Sequence, residues 1–237
     1  MSEPTAEMKP PPRLLIVLIA NLLLLGIVSV VVTLALSSSR GTTPSAVDEL
    51  FAPKPGFEGF RIPEFSLVDQ DGAPANASLL DGHYTVLTFV FTNCVLVCPQ
   101  LTGETAALHA AMEGTPTRFL SISVDPQRDS PQVLTEYAAR YNADPERWRF
   151  LTGDAEEVHR LAMEGLSFDI SPDTNAANII TLADGSTMNN ISHPSAMVLI
   201  GPDRQVLGRY LYTIPGEIDE LQQRLRGIFA VEESRRD

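Results

Sequence analysis

Cysteine is scarce in this chain: Cys94 and Cys98 are the only two in 237 residues. That excludes a cysteine-rich zinc cage within one chain, because a structural zinc site takes four protein ligands. Positive charge is the second shortage. Seventeen Lys and Arg stand against thirty Asp and Glu, a formal net charge of −13, and only Lys9 and Lys54 are lysines. Binding to nucleic acid needs a basic footprint, so no nucleic acid partner is expected. The acidic surface is either simply solvated or suited to cationic partners and metal donors. The scarcity of lysine decides nothing by itself. No internal repeat is visible. Charge of either sign is missing altogether between Leu14 and Leu36.

As a helix, that uncharged run would extend about 35 Å, against a hydrocarbon core of about 30 Å. The apolar region of a cleaved signal peptide is usually about 7–15 residues long. Ala35-Leu36-Ser37 is also a poor cleavage site, so an uncleaved anchor is expected. Arg13 abuts the run on its N-terminal side, which favours that end inside. The expected plan is a cytoplasmic tail over 1–13 and a single transmembrane helix over 14–36 in the inner (cytoplasmic) membrane. A flexible linker rich in Ser, Thr, Pro and Gly follows over 37–56. One domain over 57–230 then faces the periplasm or another extracytoplasmic space, and a charged, frayed tail closes the chain over 231–237. Asn21 inside the run either faces another helix or is a single tolerated amide.

Within the domain, strand and helix patterns alternate. Phe65 to Val68 reads as a short strand ending at the turn Asp69-Gln70-Asp71-Gly72. Thr85 to Phe91 is a nearly continuous apolar run, as expected of a strand covered on both faces. A helix from Pro99 to Met112 follows, then a second buried strand from Arg118 to Val124. Asp129-Ser130-Pro131 opens a helix to Arg140, with Asp129 or Ser130 as cap. Asp154 to Met163 is another helix. Ala196 to Ile200 and Gln205 to Tyr212 form a hairpin across Gly201-Pro202-Asp203-Arg204. An amphipathic helix from Ile218 to Phe229 closes the domain. Ser167 to Asn190 is polar and irregular, an insertion before the hairpin. A parallel βαβ unit with antiparallel strands added late is an α/β architecture of thioredoxin-like order: a mixed sheet flanked by helices.

The two cysteines lie four apart, in Phe91-Thr92-Asn93-Cys94-Val95-Leu96-Val97-Cys98-Pro99. A strand leads in and a helix leads out. Pro99 suits the first helical position, which puts Cys98 at or beside the N-cap. A helix N-terminus carries partial positive charge, which stabilises a thiolate. Such a stretch suits a reactive dithiol or a soft-metal site. Both sulfurs can reach one metal, or one another. The alternative is a pair of buried apolar residues.

Three further stretches join this motif. The opening Pro63-x-Phe65-x-Leu67-x-Asp69-x-x-Gly72, with Leu80-x-Gly82, is common among thioredoxin-like and peroxiredoxin-like domains. More specific are Cys-x-x-x-Cys-Pro after an apolar strand, and Ser121-Ile122-Ser123-Val124 running into Asp125-Pro126-x-Arg128-Asp129-x-Pro131. His193 stands just before the hairpin. Together, over roughly Gly59 to Phe229, these residues resemble the Sco/SenC family of membrane-tethered, thioredoxin-fold copper proteins. The resemblance implies a Cu(I) site made by Cys94, Cys98 and His193, with Cu(II) as the alternative state. It also implies a role in building the copper centre of a haem–copper oxidase, or a related thiol–disulfide role in which Cys94 and Cys98 are the redox pair. Implied partners are a copper-receiving subunit of a terminal oxidase or another copper protein, the membrane, and a thiol–disulfide reductant. Two positions depart from the family habit. The loop between the cysteines is Val95-Leu96-Val97 rather than polar, and Ser192, not Asp, precedes the histidine.

Two thiolates and an imidazole form a soft ligand set that favours Cu(I). Without the resemblance, His193 would read as an ordinary loop histidine. His83 in a turn, and His109 and His159 on helices, have the same plain reading. Met163, Met188 and Met197 are further soft donors: Met197 is expected in the core and Met188 in an exposed loop. Asp125, Arg128 and Asp129 read as a strand-end turn and helix cap, or as shaping the site's electrostatics. Three functions compete: a copper metallochaperone, a thiol–disulfide oxidoreductase acting on cysteines of a copper-receiving partner, and, more remotely, a peroxidase. The apolar loop either packs inward or presents a patch that docks a partner.

Overall fold

A computed structural model describes residues 13–38, 45–95 and 97–236, and the chain divides into two units, Met1–Pro44 and Ser45–Asp237. The expected tail over 1–12, linker residues 39–44, Leu96 of the inter-cysteine loop and Asp237 lie outside the described residues.

In the first unit, helix α1 (Arg13–Ser38) runs for 26 residues and includes the whole uncharged run. Its stretch Ile16–Thr33 is long and apolar enough to cross a membrane, and none of it is buried. Two of its polar side chains, Asn21 and Thr33, bond along the helix. The Asn21 amide donates to the Val17 carbonyl at 3.1 Å and the Thr33 hydroxyl to the Ser29 carbonyl at 2.7 Å. Such back-bonding removes most of the cost of placing them in hydrocarbon.

The second unit begins earlier than the linker expectation allows. Helix α2 (Ala46–Phe51) is closed by a capping box between Ser45 and Asp48. The buried Arg224 guanidinium fastens its end by donating to the carbonyls of Leu50 and Ala52. Residues 45–56 of the expected linker therefore belong to the domain. The signal was Ser45-x-x-Asp48, a helix-start pattern.

The strands and helices then follow in chain order: β1 (Ser66–Asp69), β2 (Pro74–Asn76), β3 (Thr85–Val90), α3 (Val97–Ala111), β4 (Arg118–Ser123), α4 (Pro131–Arg140), β5 (Trp148–Thr152) and α5 (Ala155–Leu166). The two-residue strands β6 (Ser171–Pro172), β7 (Ile180–Thr181), β8 (Thr187–Met188) and β9 (Ile191–Ser192) come next, then β10 (Ala196–Ile200), β11 (Val206–Leu211) and α6 (Glu217–Ser234). Seven strands form one mixed sheet in the order β11-β10-β3-β4-β5-β1-β2. β3, β4 and β5 are parallel; the flanking pairings are antiparallel. This is the thioredoxin-like mixed sheet flanked by helices.

Every residue of β3 is buried, because both faces of the sheet are covered. One core gathers Leu87 and Phe89 with Val158, Leu161 and Leu166 of α5, and it includes both cysteines. The other gathers Val86 with Leu101 and Leu108 of α3, Tyr137 of α4, and Leu221 and Leu225 of α6.

Several expectations shift. β5 was not anticipated, although its aromatic run between Pro145 and Gly153 is a strand signal. α3 starts at Val97, two residues before Pro99, so Cys98 lies inside its first turn rather than at the N-cap. Ser130 alone caps α4, accepting from the Val133 N–H at 3.4 Å. α5 runs on to Leu166, where Ser167 takes a left-handed conformation. α6 continues through 231–234, most of the tail expected to fray.

Candidate metal centre

The parallel strands place the cysteines. β3 delivers Phe91 at its C-terminal end, and the chain turns there: the Cys94 N–H donates to the Phe91 carbonyl at 3.2 Å. The turn feeds α3, and the Cys98 N–H donates to Cys94 Sγ at 3.3 Å. Both cysteines are buried and are not joined as a disulfide.

A buried carboxylate holds this turn in place. Asp129, fully buried beyond the end of β4, accepts from the Thr92 N–H at 3.1 Å and from the Thr92 hydroxyl at 2.6 Å. It also accepts from the Ser123 hydroxyl at 2.5 Å, and Ser123 Oγ in turn accepts from the Asp125 N–H at 3.0 Å. Burial pushes the Asp129 carboxyl above its ordinary pKa, while the bonds from Ser123 and Thr92 pull it back. Asp129 thus faces inward, tying the Cys94 turn to β4, instead of capping α4. Asp125 does form a local turn contact, an ion pair with Arg128 at 3.0 Å. The anchoring role of Asp129 and Thr92 was missed, although Thr92 is two residues from Cys94.

His193 arrives from the other side, between β9 and β10. Its Nε2 lies 3.4 Å from Cys98 Sγ, and its Nδ1 lies 3.3 Å from the Pro194 carbonyl. With Nδ1–H donating to that carbonyl, Nε2 keeps its lone pair toward the sulfur. Histidines that bind metals are commonly oriented through the other ring nitrogen in this way. Phe91 packs edge-on against the imidazole, with centroids 5.7 Å apart. Burial holds His193 below its ordinary pKa, which favours the neutral ring, although the Pro194 carbonyl opposes this.

The helix N-terminus does not win at Cys98. Its thiol is pushed well up, first by the hydrogen-bonding sulfur of Cys94 and then by burial. Two adjacent sulfurs resist carrying charge together unless a cation or a covalent bond relieves them. The Tyr212 phenol, at the end of β11, is raised by burial and then by Cys94 and Cys98.

The structure therefore brings Cys94, Cys98 and His193 into one neighbourhood. The 3.4 Å between Cys98 Sγ and His193 Nε2 can be bridged by one ion, given bonds of about 2.3 Å to thiolate and 2.0 Å to imidazole. Cys94, whose Sγ accepts from the Cys98 N–H at 3.3 Å on the same turn, is the third donor of the set. A cleft of about 310 Å³ opens onto Cys94 and His193, walled by Val95, Asn178, Ile179 and Ile191. Val95 is 67% exposed, whereas Val97 is half-buried against the core. The apolar loop thus divides between the two expected fates.

The other candidate donors stay away from this cleft. Met197 is buried in β10 as expected. Met188 is buried as well, on β8 opposite Ile180, and not in the exposed loop expected of it. Its short strand gave no periodic signal. His109 packs between Phe119 and Trp148 in the core. His159 and Met163 lie on α5, and His83 lies before β3.

Residues 56–229 match the SCO1/SenC family. The SCO1 protein homolog of Bacillus subtilis is 30% identical over 154 residues, covering 64% of this chain and 74% of that one. The structure of Bradyrhizobium japonicum ScoI with copper bound is 25% identical with a TM-score of 0.54, covering 69% of this chain and 98% of that one. BsSco, whose structure is described as revealing a disulfide switch in a member of the Sco family of cytochrome c oxidase assembly proteins, is 26% identical with a TM-score of 0.57. The match covers 75% of this chain and 97% of BsSco. The thioredoxin-like sheet, the cysteine turn at the end of β3 and the matched span agree: this chain belongs to the SCO1/SenC family.

Proposed function

We propose that this protein is a copper metallochaperone that carries one Cu(I) between Cys94, Cys98 and His193 and hands it to the copper centre of a haem–copper oxidase. The observation that supports it most is the approach of His193 Nε2 to Cys98 Sγ at 3.4 Å, across 95 residues of chain. Nothing in a packed core needs a neutral imidazole aimed at a thiol, whereas a soft, low-coordinate ion does. Copper is cargo here, and the site suits cargo: it opens onto a cleft rather than being sealed. Val95 and Ile179, both exposed at the mouth, give a receiving protein an apolar surface to press against while the ion changes hands.

The same proposal places α1 in the inner membrane with the second unit on the extracytoplasmic side. The uncharged run and Arg13 at its N-terminal edge support this. Protease added outside intact spheroplasts should release a fragment beginning between α1 and the domain that starts at Ser45, and protection would reverse the topology.

A second reading, thiol–disulfide exchange with cysteines of the copper-receiving partner, is favoured by the contact between the Cys98 N–H and Cys94 Sγ, which keeps both sulfurs on one turn. The readings separate at His193: copper binding needs the imidazole and dithiol exchange does not. A Cu(I) competition titration of the reduced protein should give one equivalent, lost in Cys94→Ser and weakened in His193→Ala. A reduced protein that takes up no Cu(I) would remove the chaperone reading.

A further inference from the structure

Three guanidinium groups of this acidic chain gather at the end of the sheet opposite the cysteines. Arg118 opens β4, Arg147 immediately precedes β5, and Arg149 is its second residue. With His83 and Glu146 they line a cleft of about 420 Å³. Arg147 stands in the turn that leads into β5, and Arg149 follows two residues later on the strand. All three arginines are half-buried.

A carboxylate neutralises only one of the three among the described residues. Arg61, Arg128, Arg160 and Arg204 all form ion pairs with carboxylates, and so does Arg149, with Asp69 at 2.9 Å. Arg118 and Arg147 form none among the described residues. Arg118 donates to the backbone carbonyl of Glu146, and Arg147 Nη2 to the carbonyls of Met112 at 2.9 Å and His109 at 3.4 Å. The Nε–H of Arg147 is buried with no hydrogen-bond partner among the described residues. Carbonyls orient a guanidinium but leave its charge uncompensated. Arg118 acts on His83, whose imidazole is held low by burial and then by that guanidinium. A concave, low-dielectric wall focuses the field of such charges outward.

We propose that this cleft binds an anion of the phosphate type, gripped by the Arg118 and Arg147 guanidinium forks with Arg149 at its edge. Planar guanidinium forks match phosphate oxygens in pairs. Two sources share that chemistry: a free phosphate-bearing solute, and the headgroup of an anionic lipid.

The full chain in neutral-detergent micelles is titrated calorimetrically in two arms. One receives inorganic phosphate at constant ionic strength. The other receives micelles doped with phosphatidylglycerol, with phosphatidylcholine as control. Saturable binding is expected in at least one arm, weakened about tenfold in Arg118→Gln, which loses one charged fork but keeps a donor for the Glu146 carbonyl. Arg118→Lys, keeping the charge without the fork, should fall between. Thermal midpoints accompany each titration, and Arg149→Lys, which preserves the ion pair to Asp69, serves as a second variant if Arg118→Gln unfolds. Saturation by phosphate identifies a soluble anion; saturation by phosphatidylglycerol alone identifies a headgroup. No saturation in either arm up to about 10 mM, or equal binding by wild type and the folded variants, overturns the proposal.

Discussion

Cys94 and Cys98 stand on one wall of the candidate site, and His193 on the other, and the walls are built differently. The cysteine wall joins the parallel strand β3 to a 15-residue helix and is tied to β4 by three hydrogen bonds to a fully buried carboxylate. The histidine wall is made of β6 paired with β9 and β7 paired with β8, strands of two residues each, with Ile179 before β7 and Ser192 of β9 exposed, and it meets the main sheet where His193 leads into β10. The sulfurs are therefore fixed by the fold as a whole, while the imidazole is placed by local ribbons. A protein that must hold a soft ion and then release it has use for both: a stable pair of thiols and a third donor that can be withdrawn without disturbing the core.

Damage to the two walls should have different consequences. The largest effect is expected from Cys94→Ser or Cys98→Ser, each lowering Cu(I) affinity by about two orders of magnitude or more, because the remaining oxygen is a poor donor for this ion. Competition against a Cu(I) chelator measures it. Next, Asp129→Ala should cost about 2–3 kcal/mol of stability in urea unfolding, since the Thr92 and Ser123 donors lose a buried acceptor, and copper affinity should fall with it. His193→Ala should weaken Cu(I) about tenfold while leaving the thermal midpoint in place. If His193→Ala and Asp129→Ala shift the midpoint equally, the two walls are not different in kind. Val95→Asp should leave Cu(I) affinity in chelator competition unchanged and slow transfer to an acceptor protein several-fold; unchanged transfer by the folded variant would contradict a docking role for this exposed side chain.

The smallest effect lies outside both walls and serves as a control. Burial, and then Arg147, hold His109 below its ordinary pKa. The folded state therefore binds fewer protons than the unfolded chain between that lowered value and about 6.5, and stability falls as pH drops through this window. His83 and His193 are shifted the same way. Urea midpoints at pH 7 and pH 5 should show His109→Gln losing less stability on acidification than the wild type, with copper affinity at pH 7 untouched.

The cysteine wall was legible in sequence because its determinants are local: an uninterrupted apolar strand, two thiols four apart, and a proline in the first helical turn. Apart from α2, β2, β5 and the two-residue strands, the order of strands and helices followed from the same periodicities. The histidine wall was legible only through family likeness, since two-residue strands carry no periodic signal and His193 reads as a loop residue. Asp129 stood beside Ser130 as a candidate cap because a carboxylate before Ser-Pro fits one. Its inward turn depends on Thr92, brought close only when β3 and β4 pair. The capping box at Ser45 and the aromatic run of β5 were readable signals left unread. Burial of Met188 has no local signature, because it comes from the pairing of β8 with β7.

X-ray absorption at the copper edge of the reduced, Cu(I)-loaded protein tests the central claim most directly. Cys94, Cys98 and His193 acting together predict a first shell of two sulfurs and one nitrogen, with the outer-shell scattering of an imidazole, and loss of the nitrogen in His193→Ala. A first shell of sulfur alone, unchanged by His193→Ala, would contradict it.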